Sequence, residues 1–297
     1  MKKLAVAIIA VAALASSVRA EVNFDNPKFN LANEISALDL SMPAPAAVNA
    51  VTDAKARPDK EWTIMVYING KNNLEKYAFL NINQMEKVGS TDKVNIVVEF
   101  GRMNTYSHLD GTWKGTRRYL IKKGSKPSGI FSPMVSDIGK VDMGDYKNVV
   151  DFTNWSKTQY PAKKYMLIIW NHGAGWIKSV QGDKGISYDD ETNNHITTPQ
   201  LGMALKAIGK VDVYGSDACL MQMPEVGYEI KDYTDYIVGS EETEPGDGYT
   251  YDTFLGPVVA KPTMDGAELG TIAVDAYVGH YAPSNEGSTQ SVISPPR

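Results

Sequence analysis

The sequence predicts an α/β fold, a mostly parallel sheet with helices on both faces in three layers. Two observations lead to this prediction. Short apolar runs rich in β-branched residues recur along the chain, and segments with helical spacing of apolar residues separate them. The chain has 297 residues, of which 43% are hydrophobic and 22% charged. This length and balance are those of a soluble globular protein with room for a buried core.

The individual elements follow from the same two patterns. Buried strands are predicted at residues 62–68, 94–100, 165–170, 211–214 and 236–238. Helices are predicted over residues 74–88, 146–160, 198–208, 221–233 and 267–281. Residues 117–122 are predicted to form an inserted hairpin strand. Together these elements define one predicted domain over residues 61–297.

The first twenty residues have the pattern of a signal peptide. Lys2 and Lys3 precede an apolar run at residues 4–15 that is too short to span a bilayer, and small residues lead up to Ala20. A membrane anchor is the alternative. Residues 21–60 lack periodicity, and Pro43, Pro45 and Pro58 interrupt any helix there, which predicts a linker or pro-segment. We therefore expect a secreted or periplasmic protein, with no membrane span in the mature chain.

Charge and cysteine content narrow the function. The net charge of −5 argues against nucleic-acid binding, which requires a basic surface. The chain has one cysteine, Cys219, so no disulfide can form within it. A single cysteine in an exported protein is either a small buried apolar residue or a reactive thiol.

Two polar clusters follow buried strands directly. Residues 168–176 contain His172, and residues 213–221 contain Cys219. Open α/β sheets bind ligands beyond the carboxyl ends of their strands, so neighbouring strands would bring His172 and Cys219 face to face. The imidazole would take the thiol proton and later protonate a leaving amine. Gly173 would let the backbone approach a substrate, and its N–H, with that of Cys219 at the start of a helix, would hold an oxyanion.

These residues resemble the signature of clostripain-like cysteine peptidases, relatives of caspases, gingipains and legumains. The resemblance rests on Asn171-His172-Gly173 and on residues 217–221, with further similar segments at 62–67, 72–75 and 240–248. It covers roughly residues 61–260. It implies a caspase-like fold and endopeptidase activity through His172 and Cys219.

Two carboxylates point to a basic P1 side chain, Arg or Lys. Asp217 lies two residues before Cys219 and is expected near the pocket entrance; a turn or capping role is its alternative. Asp247 lies in a Pro-Gly-Asp-Gly turn, where related peptidases have a second pocket acid; a turn-forming role is its alternative. Carboxylates in a partly desolvated pocket favour a cationic ligand.

The segment between the two reactive residues suggests self-processing. Residues 176–194 are polar and contain glycine, which indicates an exposed loop. Lys184, followed by Gly185, is the preferred predicted cleavage site, and Lys178 is the second. The alternative is that both lysines are solvated surface residues.

No cofactor follows firmly from the sequence. His108, His195 and His280 show no close ligand spacing, so they are interpreted as structural or solvent-facing and no zinc site is predicted. Calcium dependence occurs in the resembled family, but no EF-hand spacing is present. A solvated loop is favoured over a calcium site for the acidic residues Asp183, Asp189, Asp190 and Glu191.

Two other classes of function remain open: a noncatalytic interaction module on a caspase-like scaffold, and a different thiol acyl-transfer enzyme such as an amidase or transpeptidase. Members of the resembled family continue beyond the point where this sequence ends. Residues 288–293 resemble the approach to a further strand. The expectation is a truncated product or a short variant, in which activity would be uncertain.

Overall fold

A computed structural model of the protein describes residues 60–177, 184–284 and 288–296. The strands are β1 Lys60–Gly70, β2 Val94–Arg102, β3 Gly115–Leu120, β4 Met134–Gly139, β5 Ala162–Trp170, β6 Gly185–Asp189, β7 Asn194–Thr197, β8 Val211–Asp217, β9 Thr234–Gly239 and β10 Ser291–Ile293. The helices are α1 Glu75–Val88, α2 Tyr146–Gln159, α3 Thr198–Ile208, α4 Pro224–Ile230, α5 Tyr251–Ala260 and α6 Gly266–Tyr281, followed by a 3₁₀ turn at Ala282–Ser284.

Eight strands form one sheet in the order β10-β9-β8-β5-β1-β2-β3-β4. The five central strands, β9 to β2 in that order, are parallel, while β10, β3 and β4 pair antiparallel at the edges. The hairpin of β6 and β7 is a separate two-stranded sheet. The parallel centre places the carboxyl ends of β1, β5 and β8 side by side at one edge.

Alternation along the central strands explains why both faces carry helices. In β1, Ile64, Val66 and Ile68 belong to a core shared with α1, α5 and α6, while Met65 and Tyr67 belong to a core shared with α2, α3 and α4. All five side chains are fully buried. Strands buried on both faces read as continuous apolar runs, which is why these segments are recognisable in the sequence.

The predicted fold class is confirmed. Four elements were not predicted: β4, β6, β7 and α5. Helix α5 includes Pro257, which has no N–H for the helix and normally indicates a break. The helix predicted over residues 221–233 is shorter, because α4 begins only at Pro224. Within the described ranges, no helix combines the length and apolarity needed to cross a membrane.

Candidate active site

One cavity lies at the carboxyl ends of β5 and β8. The two strands pair in parallel with Trp170 opposite Asp217, so the segments that follow them leave the sheet at the same level. The Asn171 N–H also donates to the Asp217 carbonyl at 3.2 Å, which connects the carboxyl ends of the two strands. The cavity measures about 150 Å³. Its walls contain both predicted reactive residues; they are formed by Leu74, Trp170, Asn171, His172, Asp217, Ala218, Cys219, Glu244, Pro245, Gly246 and Gly248.

His172 is partly buried and has a side-chain partner. Its Nε2 lies 2.7 Å from Oδ1 of Asn73, an exposed residue just before α1. In the neutral imidazole, Nε2 is then the donor and Nδ1 is left as the basic nitrogen. Burial lowers the pKa of His172 below its usual value, and the carboxylate of Asp190 opposes this only in part. A lowered pKa keeps the imidazole in the neutral, proton-accepting form at neutral pH.

Cys219 lies in a turn, which corrects the expectation that it begins a helix. Leu220 has a φ of 65°, in the left-handed region, so the chain cannot continue as a helix from Cys219. The thiol is partly buried. Its Sγ accepts the backbone N–H of Glu244 at 3.2 Å. A backbone N–H, and not a helix N-terminus, is therefore the dipole that faces the sulfur.

Gly173 lies very close to the backbone of Cys219. A Cβ on this residue would lie 2.3 Å from the Cys219 carbonyl oxygen, closer than real Cβ atoms come. The lack of a side chain therefore lets the segments after β5 and β8 touch. The N–H groups of Gly173 and Cys219 have no acceptor among the described residues. Cys219 lines the cavity, whereas Gly173 lies beside His172 and is not among the residues of the cavity wall.

The β6–β7 hairpin supports the His172 segment from the other side. The Ser187 N–H donates to the His172 carbonyl at 3.3 Å, and the Ala174 N–H donates to the Gly185 carbonyl at 2.9 Å. Gly173 lies opposite Ile186 in this short ladder. The backbone on both sides of Gly173 is thus fixed, which holds His172 in place.

Asp217 lies in the cavity wall but is only 3% exposed, so it is not the entrance residue that the sequence predicted. Its Oδ1 accepts the Tyr249 N–H at 3.0 Å and its Oδ2 accepts the Tyr251 hydroxyl at 2.9 Å. Burial raises the pKa of Asp217 to about 7, although the hydrogen bonds from Tyr251 and Tyr249 act in the opposite direction.

The second carboxyl group in the wall belongs to Glu244, whereas Asp247 lies outside it. The Gly248 N–H donates to the Pro245 carbonyl at 3.0 Å and closes a turn that leaves Asp247 exposed. The Asp247 carbonyl accepts from Asn81 Nδ2 at 3.0 Å. The pocket role of Asp247 was inferred only from the position of a similar acid in related peptidases. In this structure the turn places Asp247 outside the described cavity wall.

The remaining predicted residues are distributed around this site. Lys184 is partly buried, with Nζ 4.3 Å from the centre of the Trp176 ring. Lys178 lies outside the described residues, as does Asp183. In the described part of the chain, no group of three or more His, Cys, Asp or Glu residues could hold a metal ion. Asp189 and Glu191, considered for calcium, contact the ammonium group of Lys71 instead.

The three other histidines lie outside the cavity wall. His195 stacks on Tyr188 with ring centres 4.7 Å apart. His280 packs edge-on against Tyr281 on α6. His108 is exposed.

Sequence reasoning assigned no role to Asn73, Asn81 or Glu244. Asn81 on α1 accepts the Trp170 indole N–H at 2.7 Å and donates to the carbonyls of Asp247 and Tyr249, so it links β5 to the turn beside the cavity. Asn73 and Glu244 lie in segments that carried the family resemblance. Their position in these segments is the feature of the sequence from which a role could have been predicted.

One cavity at the carboxyl ends of two neighbouring parallel strands contains a thiol and a partly buried imidazole. These two groups define a candidate site for a cysteine nucleophile. The family model described as the Clostripain family matches residues 66–294. The protein belongs to the clostripain family.

Known relatives agree with this assignment. Clostripain from Hathewaya histolytica is 29% identical over 231 residues, which cover 67% of this chain and 42% of that protein. The chain thus spans less than half the length of that relative.

Solved structures share the fold. A secreted C11 cysteine protease from Bacteroides thetaiotaomicron, solved with an irreversible peptide inhibitor, has a TM-score of 0.63 and 22% identity and covers 79% of this chain and 66% of its own. An inactive zymogen C11 protease from Parabacteroides distasonis has a TM-score of 0.62 and 21% identity, with coverages of 80% and 62%.

Proposed function

We propose that this protein is an exported cysteine endopeptidase that hydrolyses peptide bonds after Arg or Lys, with Cys219 as nucleophile and His172 as general acid and base. One observation supports this above the others. His172 and Cys219 line the same cavity in a chain of the clostripain family, and a buried carboxyl group, Asp217, lies in its wall.

The reaction proceeds in two halves. His172 takes the thiol proton as Sγ forms a bond to the carbonyl carbon of the substrate, and the carbonyl oxygen becomes an oxyanion. The N–H groups of Gly173 and Cys219 bind that oxyanion. His172 then gives its proton to the amine as the C–N bond breaks, leaving a thioester. Water, deprotonated by His172, releases the acid and restores the thiol.

The cavity suits one long side chain. Its volume of about 150 Å³ is below the roughly 300–1,000 Å³ of pockets that take a whole drug-sized ligand. The carboxyl group of Asp217 has no Lys or Arg partner in the described part of the chain, so it is free to pair with a cation that the substrate brings. A buried carboxylate selects a cation, which is why we assign Arg or Lys to P1.

Export and self-processing complete the proposal. Residues 1–20 are the proposed signal peptide and 21–60 the linker; residues 1–59 lie outside the described ranges, and Lys60 begins β1. One structural neighbour is described as secreted and another as an inactive zymogen. We assign the activating cut to the segment between His172 and Cys219, at Lys184 or Lys178.

The decisive experiment is a panel of fluorogenic peptides that differ only in P1, assayed with the full mature chain and its Cys219→Ala variant. We expect turnover after Arg and Lys, at least about a thousandfold lower in the variant, with thermal unfolding of the two proteins unchanged. Turnover that persists in Cys219→Ala would refute the nucleophile assignment. A correctly folded wild-type chain without activity would instead favour the noncatalytic interaction module.

A further inference from the structure

The cavity wall contains two carboxyl groups, those of Asp217 and Glu244. Burial and the charge of Asp217 raise the pKa of Glu244 well above its usual value, so the pair keeps a proton at neutral pH. Glu244 Oε1 is buried, and no N–H or O–H of the described residues donates to it. A buried acceptor without a donor has a high free energy and calls for an explanation.

We propose that Glu244 is a specificity-determining residue, whose carboxyl group binds the charged end of the basic P1 side chain together with that of Asp217. This inference rests on the proposed function, because it identifies the partner of the P1 cation in the same site. The two groups differ in their role. Asp217 is already held by Tyr249 and Tyr251, whereas Glu244 has an oxygen that lacks a donor.

The surroundings of the pair contain no competing cation among the described residues. The groups that act on it electrostatically are the hydroxyls of Tyr249, Tyr251 and Tyr277 and the thiol of Cys219. His172 lines the same cavity, and burial lowers its pKa, so it is neutral at neutral pH. An incoming guanidinium or ammonium group would therefore be the only full positive charge beside the pair.

Binding of a cation must displace the shared proton. In the free protein, burial and the charge of Asp217 hold the pKa of Glu244 well above its usual range. A P1 cation favours the ionised form of both groups. A proton therefore leaves the pair when a basic P1 side chain enters, and affinity for that side chain rises as the pH rises.

The backbone of Glu244 contacts the thiol, whereas the proposed role in specificity belongs to its side chain, so the two can be tested separately. Its N–H donates to Sγ of Cys219, and a Glu244→Gln substitution leaves that contact in place. Gln also keeps the length of the side chain. The variant therefore removes the charge of the carboxyl group while the backbone beside the nucleophile is retained.

The test measures binding in the Cys219→Ala chain, so that no turnover occurs. Two fluorescent peptides are compared, one with Arg at P1 and one with citrulline, which has nearly the same shape but no charge. We expect the Arg peptide to bind more tightly and Glu244→Gln to weaken its binding about tenfold to a hundredfold, the effect of losing one charged hydrogen bond. Citrulline binding should change less than about threefold, and the matched control Glu242→Gln, an exposed carboxylate of the same loop, should change neither.

Two outcomes overturn the proposal. One is equal loss of Arg and citrulline binding in Glu244→Gln with native thermal unfolding, which would assign Glu244 a shape-related role. The other is an Arg preference that survives the substitution or is absent from the parent. Since turnover is not measured, these outcomes are distinct from failure of the peptidase proposal, which appears only with Cys219 intact.

Discussion

At the scale of single residues, Asn73 stands out because it contacts the imidazole directly. Its Oδ1 lies 2.7 Å from Nε2 of His172 and so selects the tautomer in which Nδ1 is the base. Asn73→Ala should lower kcat about tenfold to a hundredfold, part of what a positioned acid–base group contributes, with little change in KM. Kinetics of the variant beside the exposed-residue control Asn154→Ala measure this effect.

A second variant separates orientation from simple structural damage. Asn73→Asp keeps the oxygen acceptor and adds a negative charge, which raises the pKa of His172. The base must be neutral, so the acid limb of the kcat/KM profile should move to higher pH. An unchanged pH profile together with normal activity in both variants would show that Asn73 does not act on His172.

The buried carboxyl pair also affects folding. Burial raises the pKa of Asp217 from a usual 3.8 to about 7, and that of Glu244 is raised as well. Between pH 4 and 7 the folded chain therefore holds protons that the unfolded chain has released, so the free energy of unfolding falls as pH rises through this window. The contribution of Asp217 is complete below about pH 4 and is lost as the pH rises through about 7, whereas that of Glu244 is lost only at the higher pH where its carboxyl group ionises in the folded chain.

Glu244→Gln should flatten this pH dependence, because it removes the contribution of Glu244 and leaves that of Asp217. Urea unfolding at each pH measures it. Glu99, whose pKa burial raises to about 7, is present in both proteins and cancels in the comparison. Parallel curves for parent and variant would show that the pair is ionised in the folded chain at all of these values.

The sequence predicts the location of residues that come directly after a recognisable buried strand. His172 and Cys219 come directly after buried strands that neighbour each other, so their meeting could be predicted. Glu244 reaches the cavity through a loop after β9, and Asp247, three residues later, does not. Which of the two carboxylates enters depends on one turn closed by Gly248, and no periodic pattern encodes that.

At the scale of elements, the β6–β7 hairpin connects the His172 segment to β1 through Lys71. This side chain is fully buried, and its Nζ lies 2.9 Å from Glu191 Oε2 and 3.6 Å from Asp189 Oδ2. It also donates to the Val141 carbonyl. Sequence reasoning interpreted this acidic stretch as a solvated loop, because a lone lysine some 120 positions earlier gives no local signal.

Lys71→Met should lower the free energy of unfolding by roughly 3–5 kcal/mol, since it leaves Asp189 buried without its cation. Burial already raises the pKa of Asp189 despite Lys71. Lys140→Met is a matched control, because Lys140 contacts the same Glu191 but its side chain is 75% exposed, and its loss should lower the free energy of unfolding far less. Urea unfolding compares the two, and equal effects would contradict a buried anchoring role for Lys71.

At the scale of the whole molecule, the parallel sheet joins the two halves that a cut after Lys184 would create. The first half contains β1 to β5, the second β6 to β10. Between them, β5 pairs with β8 over five residue pairs, from Met166 with Val213 to Trp170 with Asp217. Helix α1 packs on α5, and α2 packs on α3. These interfaces do not depend on the covalent connection between His172 and Cys219.

We therefore expect self-processing to divide the chain without separating it. Incubated wild-type protein should give a new N-terminus at Gly185, or after Lys178, while both fragments elute together in gel filtration and separate only in denaturant. Gly185 is buried and its carbonyl accepts from Ala174, so the cut at Lys184 needs local opening of β6 and should accelerate in dilute urea.

Controls assign the cut to the protein's own site. Cys219→Ala should stay intact, and Lys184→Gln should lose the Gly185 terminus while cleavage after Lys178 continues. Because the fragments share the sheet, the cut sample should keep both its thermal unfolding transition and its activity. An active wild-type sample that remains whole, or a Cys219→Ala sample cut at the same rate, would remove self-processing, since neither outcome is compatible with cleavage by Cys219.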